Sequence, residues 1–289
     1  MYGVIRMLEG NLRRAVVRDR VATVILWGTG AIGLLGPAGI FIYLLINGIG
    51  ALDWAFLSEG PKGFPLGQSG GILPAIKGSL ALVGIGLCLA VPLAVAGAVY
   101  MTEYGRNSIW LKVVRFSTEC LASVPAIVYG LFGYAFLVVF MALKVSLLAG
   151  GITLGLVMLP IILIGAQEAL RAVPAEQREA ALALGATRAH VARRIVLRQA
   201  WPGILAATVL AAGHAMGTAA PILYTAAVIM SPTSISLGAP VMTLPTHLYY
   251  LVSEAVAFEQ AYATALMLIL ILLSVNVFAM YMQRLLRVR

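Results

Sequence analysis

Long apolar runs broken by short polar joints set the pattern of this chain. The runs extend over Val21 to Ile46, Ile72 to Tyr100, Leu121 to Leu143, Leu147 to Ala166, Gly203 to Met230 and Ala261 to Tyr281. Each reaches or exceeds the roughly 20 residues that a helix needs to cross a hydrocarbon core. Spanning strands would alternate apolar with polar over about 10 residues, whereas these runs are apolar throughout. The pattern predicts an all-α, polytopic membrane protein with six transmembrane helices.

The joints are short, with no polar linker, low-complexity tract or repeat of 20 to 50 residues. One membrane domain over residues 21–289 is therefore expected, preceded by a cytoplasmic segment over residues 1–20. The first run follows an arginine-rich start, as in a signal peptide. It is longer than a 7 to 15 residue signal core, and five more runs follow it, so a retained helix is expected. Residues 47–71 read as an outside loop or short interfacial helix, with Trp54 and Phe56 suited to the membrane interface. A second outside loop, Ser231 to Phe258, carries Pro232, Pro240 and Pro245. Gly151 with Gly155 and Gly213 with Gly217 have the spacing that lets helices approach closely in lipid.

Composition agrees: 61% of the 289 residues are hydrophobic and 11% charged, so little is left for a soluble surface. The net charge of +9 raises nucleic acid as a partner. Placement argues against it. With the N-terminus inside, the cytoplasmic joints hold Arg6, Arg13, Arg14, Arg18, Arg20, Arg106, Lys112, Arg115, Arg171, Arg178, Arg188, Arg193, Arg194, Arg198, Arg284, Arg287 and Arg289. Only Lys62, Lys77 and Lys144 remain outside, as expected for six spans with both termini cytoplasmic. Cys88 and Cys120 fall in or beside apolar runs without a CxxC spacing, and read as packed small residues.

Gly28 to Gly33, GTGAIG, matches the dinucleotide pattern GxGxxG letter for letter. That fingerprint needs a preceding strand and a soluble βαβ unit, whereas here it lies inside the first span, where packing glycines are the better reading. The chain contains no GxxxxGK followed by Ser or Thr, no HExxH and no GxSxG. His190, His214 and His247 stand far apart. No catalytic residue, metal site or cofactor is expected, and the chain does not read as an enzyme.

Between the fourth and fifth runs, on the inside by the charge rule, comes EALRAVPAEQREAALALGATRAHVARRIVLRQAWPG, rich in good helix formers. Pro174 suits the first turn of a helix, with Glu176 and Glu179 near its positive end. Gly185 fits a left-handed cap and Thr187 can open the next helix. On that helix Val191 and Ile195 share one face, with Arg188, Arg193, Arg194 and Arg198 over much of the rest. Residues 174–199 thus form two short amphipathic helices meeting at a glycine. Such an elbow serves as a grip for another protein or as a helix pair lying on anionic lipid.

The run Glu179, Ala180, Ala181, Gly185, Ile195, Val196, Leu197 resembles the EAA loop of ABC-transporter permeases, with Arg198 where the family pattern has proline. Gly71 to Gly105, Glu119 to Gly133 and Leu159 to Thr187 are similar to the PstA-type subunit of phosphate ABC importers. The resemblance implies the type I importer (MetI-like) permease fold, in the bacterial inner membrane. It further implies that the elbow takes up the motion of a partner ATPase through Glu179, Ala180, Ala181, Gly185, Val191, Ile195 and Leu197. Glu179 would tie the elbow together electrostatically, and Val191 with Ile195 would offer the apolar anchor. The implied partners are a second permease of PstC type, two PstB-type ATPases and an external phosphate-binding protein of PstS type. The implied function is ATP-driven import of inorganic phosphate by alternating access.

One stretch departs from that family. Where it carries a pattern like GRAxGETAP, this chain reads GHAMGTAAP. His214 stands at the arginine, Thr218 at the glutamate and Ala219 at the threonine, which puts His214 and Thr218 on the expected substrate pathway. Losing both charges together removes a buried pair as a unit, which leaves neither charge alone. The partner supplies the cation, the cargo is another oxyanion such as sulfate or a phosphonate, or His214 is a packed, hydrogen-bonded side chain. A secondary transporter and an intramembrane enzyme built on His214, Thr218 and Glu119 are the alternatives from other classes. Arg115 and Glu119, four apart, form a candidate helix pair.

Overall fold

A computed structural model describes residues 2–64, 67–105, 109–229 and 235–287, with side chains from residue 18 onward apart from 110 and 285–287. Arg106, Pro232 and Arg289 lie outside the described residues, as do the side chains of Arg6, Arg13, Arg14 and Arg287. In chain order the elements are α1 (Tyr2–Gly48), α2 (Trp54–Ser58), β1 (Pro61–Lys62), β2 (Ser69–Gly70), α3 (Leu73–Val99), α4 (Ile109–Ser123), α5 (Ala126–Gly133) and α6 (Leu147–Arg171). They continue as α7 (Ala175–Ala183), α8 (Arg188–His190), α9 (Leu197–Met216), α10 (Ala220–Thr225), α11 (Leu244–Ser253) and α12 (Phe258–Arg287). π-helical turns extend α3 over Tyr100–Tyr104, extend α5 over Tyr134–Phe140, and join α8 to α9 over Val191–Val196. The architecture is helical, with β1 and β2 forming a small antiparallel ribbon.

Among the described residues five helices are long and apolar enough to cross a membrane, and a bent pair would make a sixth span. That pair, Leu111–Ser123 and Ala126–Phe140, turns by 100° at its break, so the third apolar run is not one straight helix. Pro125 is the cause: it lacks an N–H and pushes the preceding residue out of helical geometry. The fifth run also ends earlier than its hydropathy suggests. α9 stops at Gly217, and the chain continues as short α10 and then a bridge between Ala227 and Val241.

The core is built from backbone closeness. α3 and α6 lie against each other where Gly86 faces Gly155, whose added Cβ would stand 3.2 Å from the Gly86 carbonyl oxygen, and where Gly151 faces Ile85. α6 and α9 meet where a Cβ on Gly203 would stand 2.6 Å from that of Ala169. In lipid, dispersion between close backbones replaces the hydrophobic drive, so small residues hold the bundle together. Gly213 and Gly217 make no such approach, their nearest neighbours being 3.8 Å away or more. A Cβ on any of the GTGAIG glycines of α1 would meet nothing within 4 Å among the described residues. Cys88 and Cys120, expected to be packed, are both exposed.

At the end of the bundle remote from α7, α2 is capped by Asp53, which accepts from the Phe56 N–H at 2.6 Å. The two aromatics split: Trp54 is 81% exposed and Phe56 only 1%. α11 opens with a capping box between Thr243 and Thr246, and its Leu244 N–H donates to Ser79 Oγ on α3 at 2.9 Å. A Cβ on Gly78 would fall on the Met242 carbonyl, fixing this segment against α3. His247 on α11 is buried, and that burial lowers its pKa to about 4 because desolvation penalises the imidazolium.

Two tests follow from this packing. Gly78→Ala forces the Met242 carbonyl aside and should cost about 1–3 kcal/mol, whereas Gly84→Ala, with open space around it, should leave the melting temperature in detergent unchanged or slightly raised. Equal melting temperatures would remove the close contact from the account. For His247, the unfolded chain takes up a proton as pH falls below about 6.5 while the folded chain does not until about 4. Stability is therefore full above that window and falls as pH drops through it. His247→Gln should flatten the pH 4 to 6.5 part of the melting curve relative to the parent, and an identical slope in both proteins would contradict it.

Candidate functional site

The elbow begins where α6 ends. Pro174, at the N-cap of α7, cannot continue α6, and α7 then runs nine residues to Ala183. Its C-terminus closes as a Schellman turn. The Gly185 N–H donates to the Leu182 carbonyl at 3.0 Å, and the Ala186 N–H reaches back to the Ala181 carbonyl at 3.1 Å. Gly185 sits at φ +83°, where a side chain would be strained. Thr187 then caps the next helix, its Oγ1 accepting from the His190 N–H at 3.3 Å. The second arm is not a separate short helix, however. From Arg188 it runs through the π turn into α9 as one continuous helix to Met216.

Placement of the expected coupling residues separates tip from root. Glu179 and Ala180 are exposed, and Ala181 packs with Ala186 against a buried cluster of Ala98, Ala166, Leu170, Val173, Val191 and Val196. Val191 is 3% exposed and Ile195 packs on the same cluster, so neither is free to anchor a partner. Their face of the helix is apolar because it joins the ends of α3, α6 and α9. The free apolar residue is Leu184, 90% exposed at the tip, with Leu182 beside it. Leu197 lines an apolar groove of about 550 Å³ with Val95, Tyr104 and Trp201.

Glu179 makes no ion pair within 4 Å among the described residues; the electrostatic tie belongs to its neighbour. Arg178 turns inward. Its Nη2 stands 3.2 Å from Glu103 Oε1, in the π turn that ends α3. The same nitrogen donates to the Leu170 carbonyl at 2.6 Å, and Nη1 donates to the Val173 carbonyl at 2.9 Å. Those carbonyls belong to the end of α6 and the joint after it, where a helix leaves acceptors without partners. Gln199 Nε2 also donates to Gln177 Oε1, linking the two arms. Sequence reading passed over Arg178 as one more surface charge. The available signal was Glu103, an acid at the end of an apolar span, which calls for a partner.

The substrate-pathway candidates fall at the other end of α9. His214 is exposed on this chain. Thr218 is partly buried, its Oγ1 donating to the His214 carbonyl at 2.7 Å. Ala219 follows as the N-cap of α10. Arg115 and Glu119 form no ion pair among the described residues, but they line a cavity of about 250 Å³ with Glu168 and Arg171. No group of three His, Cys, Asp or Glu among the described residues could hold a metal.

Residues 86–289 match the family model of the binding-protein-dependent transport system inner membrane component. The phosphate transport system permease protein PstA of Haemophilus influenzae is 34% identical, over 86% of this chain and 87% of that protein. PstA 1 of Mycobacterium tuberculosis is 30% identical, over 93% of this chain and 89% of its own length. Among solved structures, a bacterial alginate ABC transporter in complex with its pentasaccharide-bound periplasmic protein superposes with a TM-score of 0.67 at 18% identity, covering 94% of this chain and 96% of that one. The inward-facing MetNI methionine ABC transporter gives 0.58 at 19% identity, covering 75% and 94%. With most of its length in the family model and the bundle in the importer fold, the chain belongs to the binding-protein-dependent inner membrane components, as an ABC permease of the PstA type.

Proposed function

We propose that this chain is the permease subunit of an ATP-driven importer of inorganic phosphate. It pairs with a second permease of PstC type, two PstB-type ATPases and an external phosphate-binding protein of PstS type. Relatives matched along nearly their whole length carry phosphate transport in their names, which supports the cargo. The distribution of arginine and lysine supports an orientation with the elbow and both termini in the cytoplasm.

The observation that carries the reading is the elbow's division into an exposed tip and a buried root. Leu184 projects beside the Gly185 turn, while Val191, Val196 and Ala181 seat the root against α3, α6 and α9. An ATPase that grips the tip moves the second arm, and that arm is the same helix as α9. Displacement therefore reaches His214 without crossing a loop, and Thr218 follows just past the end of that helix, bonded to the His214 carbonyl. The exposure of His214 on this chain supports a passage at the boundary with the second permease, which then supplies the fixed cation that GHAMGTAAP lacks. That missing arginine is also the reason to keep another oxyanion as a second reading of the cargo.

Two measurements test this. In vesicles holding the whole assembly, binding protein loaded with phosphate should stimulate ATP hydrolysis, and sulfate and phosphonates should not. Stimulation by sulfate or a phosphonate alone would replace phosphate as cargo. Gly185→Val places a β-branched residue at positive φ, at a cost of about 1–3 kcal/mol, and reshapes the tip. ATP hydrolysis should then continue while uptake falls; fully coupled uptake would remove the elbow from the mechanism.

A further inference from the structure

Arg178 holds three pieces of chain at once: its own helix α7, the α6 terminus through the Leu170 and Val173 carbonyls, and the end of α3 through Glu103. The guanidinium fork makes this possible, since it presents several donors in fixed directions where an ammonium presents a point charge. The contact is withdrawn from water, with the Arg178 side chain 21% and that of Glu103 13% exposed. It is also unfinished. Thr102 Oγ1, Glu103 Oε1 and Arg178 Nε are buried without an aligned hydrogen-bond partner. Around them lies a cavity of about 300 Å³ lined by Met101, Thr102, Glu103, Arg171 and Arg178. A buried charge pair with unsatisfied atoms and room beside it has more than one arrangement open to it.

Glu103 lies in a π turn, whose hydrogen bonds each enclose one residue more than those of an α-helix, a feature frequent at functional sites. Gln167 on α6 donates to Met101 Sδ in the same turn at 2.8 Å, so the end of α3 is held to α6 as well as to α7. α3 in turn packs along α6 through Gly86 and Gly155. We propose that the Arg178–Glu103 ion pair is a positioning clasp that carries displacement of the elbow to α3 and so sets how much transport each hydrolysed ATP yields. This rests on the proposed reading of the elbow as the ATPase's docking site. It adds a second route to that reading: α9 moves because it continues the elbow, and α3 moves because Arg178 holds it.

The test is the ratio of radiolabelled inorganic phosphate taken up to ATP hydrolysed, in vesicles holding the complete assembly with loaded binding protein outside. Glu103→Gln keeps the shape and removes the charge; Arg178→Gln removes the fork. Each should lower the ratio about 5- to 10-fold, and the double variant should be no worse than Arg178→Gln, because both act on one contact. Arg178→Lys, which keeps charge without the fork, should recover only part of the loss. An unchanged ratio in Glu103→Gln overturns the clasp. So do losses that multiply in the double variant, or a smaller amount of assembled complex working at the normal ratio. Should Arg178→Gln not assemble, the isosteric Glu103→Gln decides alone. If Gly185→Val uncouples while these variants do not, the clasp falls and the elbow reading stands; if all remain coupled, both fall.

Discussion

A lever works only if its root does not bend, and the root of this elbow is held by side chains small enough to bring three helices together. Ala98, Ala166 and Ala200 close the space among α3, α6 and α9, and Val191 and Val196 fill what is left. Dispersion between close surfaces, rather than escape from water, is what such a cluster offers within a bilayer. Arg178 completes the root by satisfying carbonyls that the end of α6 leaves open. Without that cluster, movement of the tip would be absorbed at Pro174 and would go no further.

From that root a single helix leads to the proposed passage. Arg188 to Met216 is one helix of 29 residues, on the order of 40 Å at 1.5 Å per residue. A tilt imposed at its first turn reappears at its last, where His214 lies and just beyond which Thr218 follows. The π turn over Val191–Val196 is the point where this rod can change register, and it lies where the helix leaves the elbow. At the remote end the chain is tied differently. The Leu244 N–H holds α11 to α3 through Ser79 Oγ, Thr243 and Thr246 close the capping box of α11 on each other, and His247 is buried beside them with its pKa lowered by desolvation.

What the sequence made legible follows from which forces are local. Helical spans can be read because a bilayer demands about 20 apolar residues, and among the described residues five of them stand as single helices. The bend after Ser123 was signalled by Pro125, but hydropathy averages over it. The Gly185 turn and the Thr187 cap were legible because each is decided within a few residues. The direction a face points was not. Val191 and Ile195 show the same spacing whether they meet a partner or their own bundle, and only the tertiary fold assigns them to the root. Likewise Glu179 and Arg178 are adjacent in sequence, yet on a helix they point about 100° apart, so one reaches water and the other Glu103.

The account's central claim is that the tip at Leu184 is covered by the ATPase while its root stays inside the bundle. Cross-linking from Leu184→Cys in the complete assembly, with a short thiol-to-amine reagent, tests it most directly. The account predicts a link to the ATPase subunit that forms in the membrane-bound complex and changes in yield when nucleotide is added. A cysteine there that stays freely reactive to a soluble thiol probe in every nucleotide state, or that links only to lipid, would contradict it.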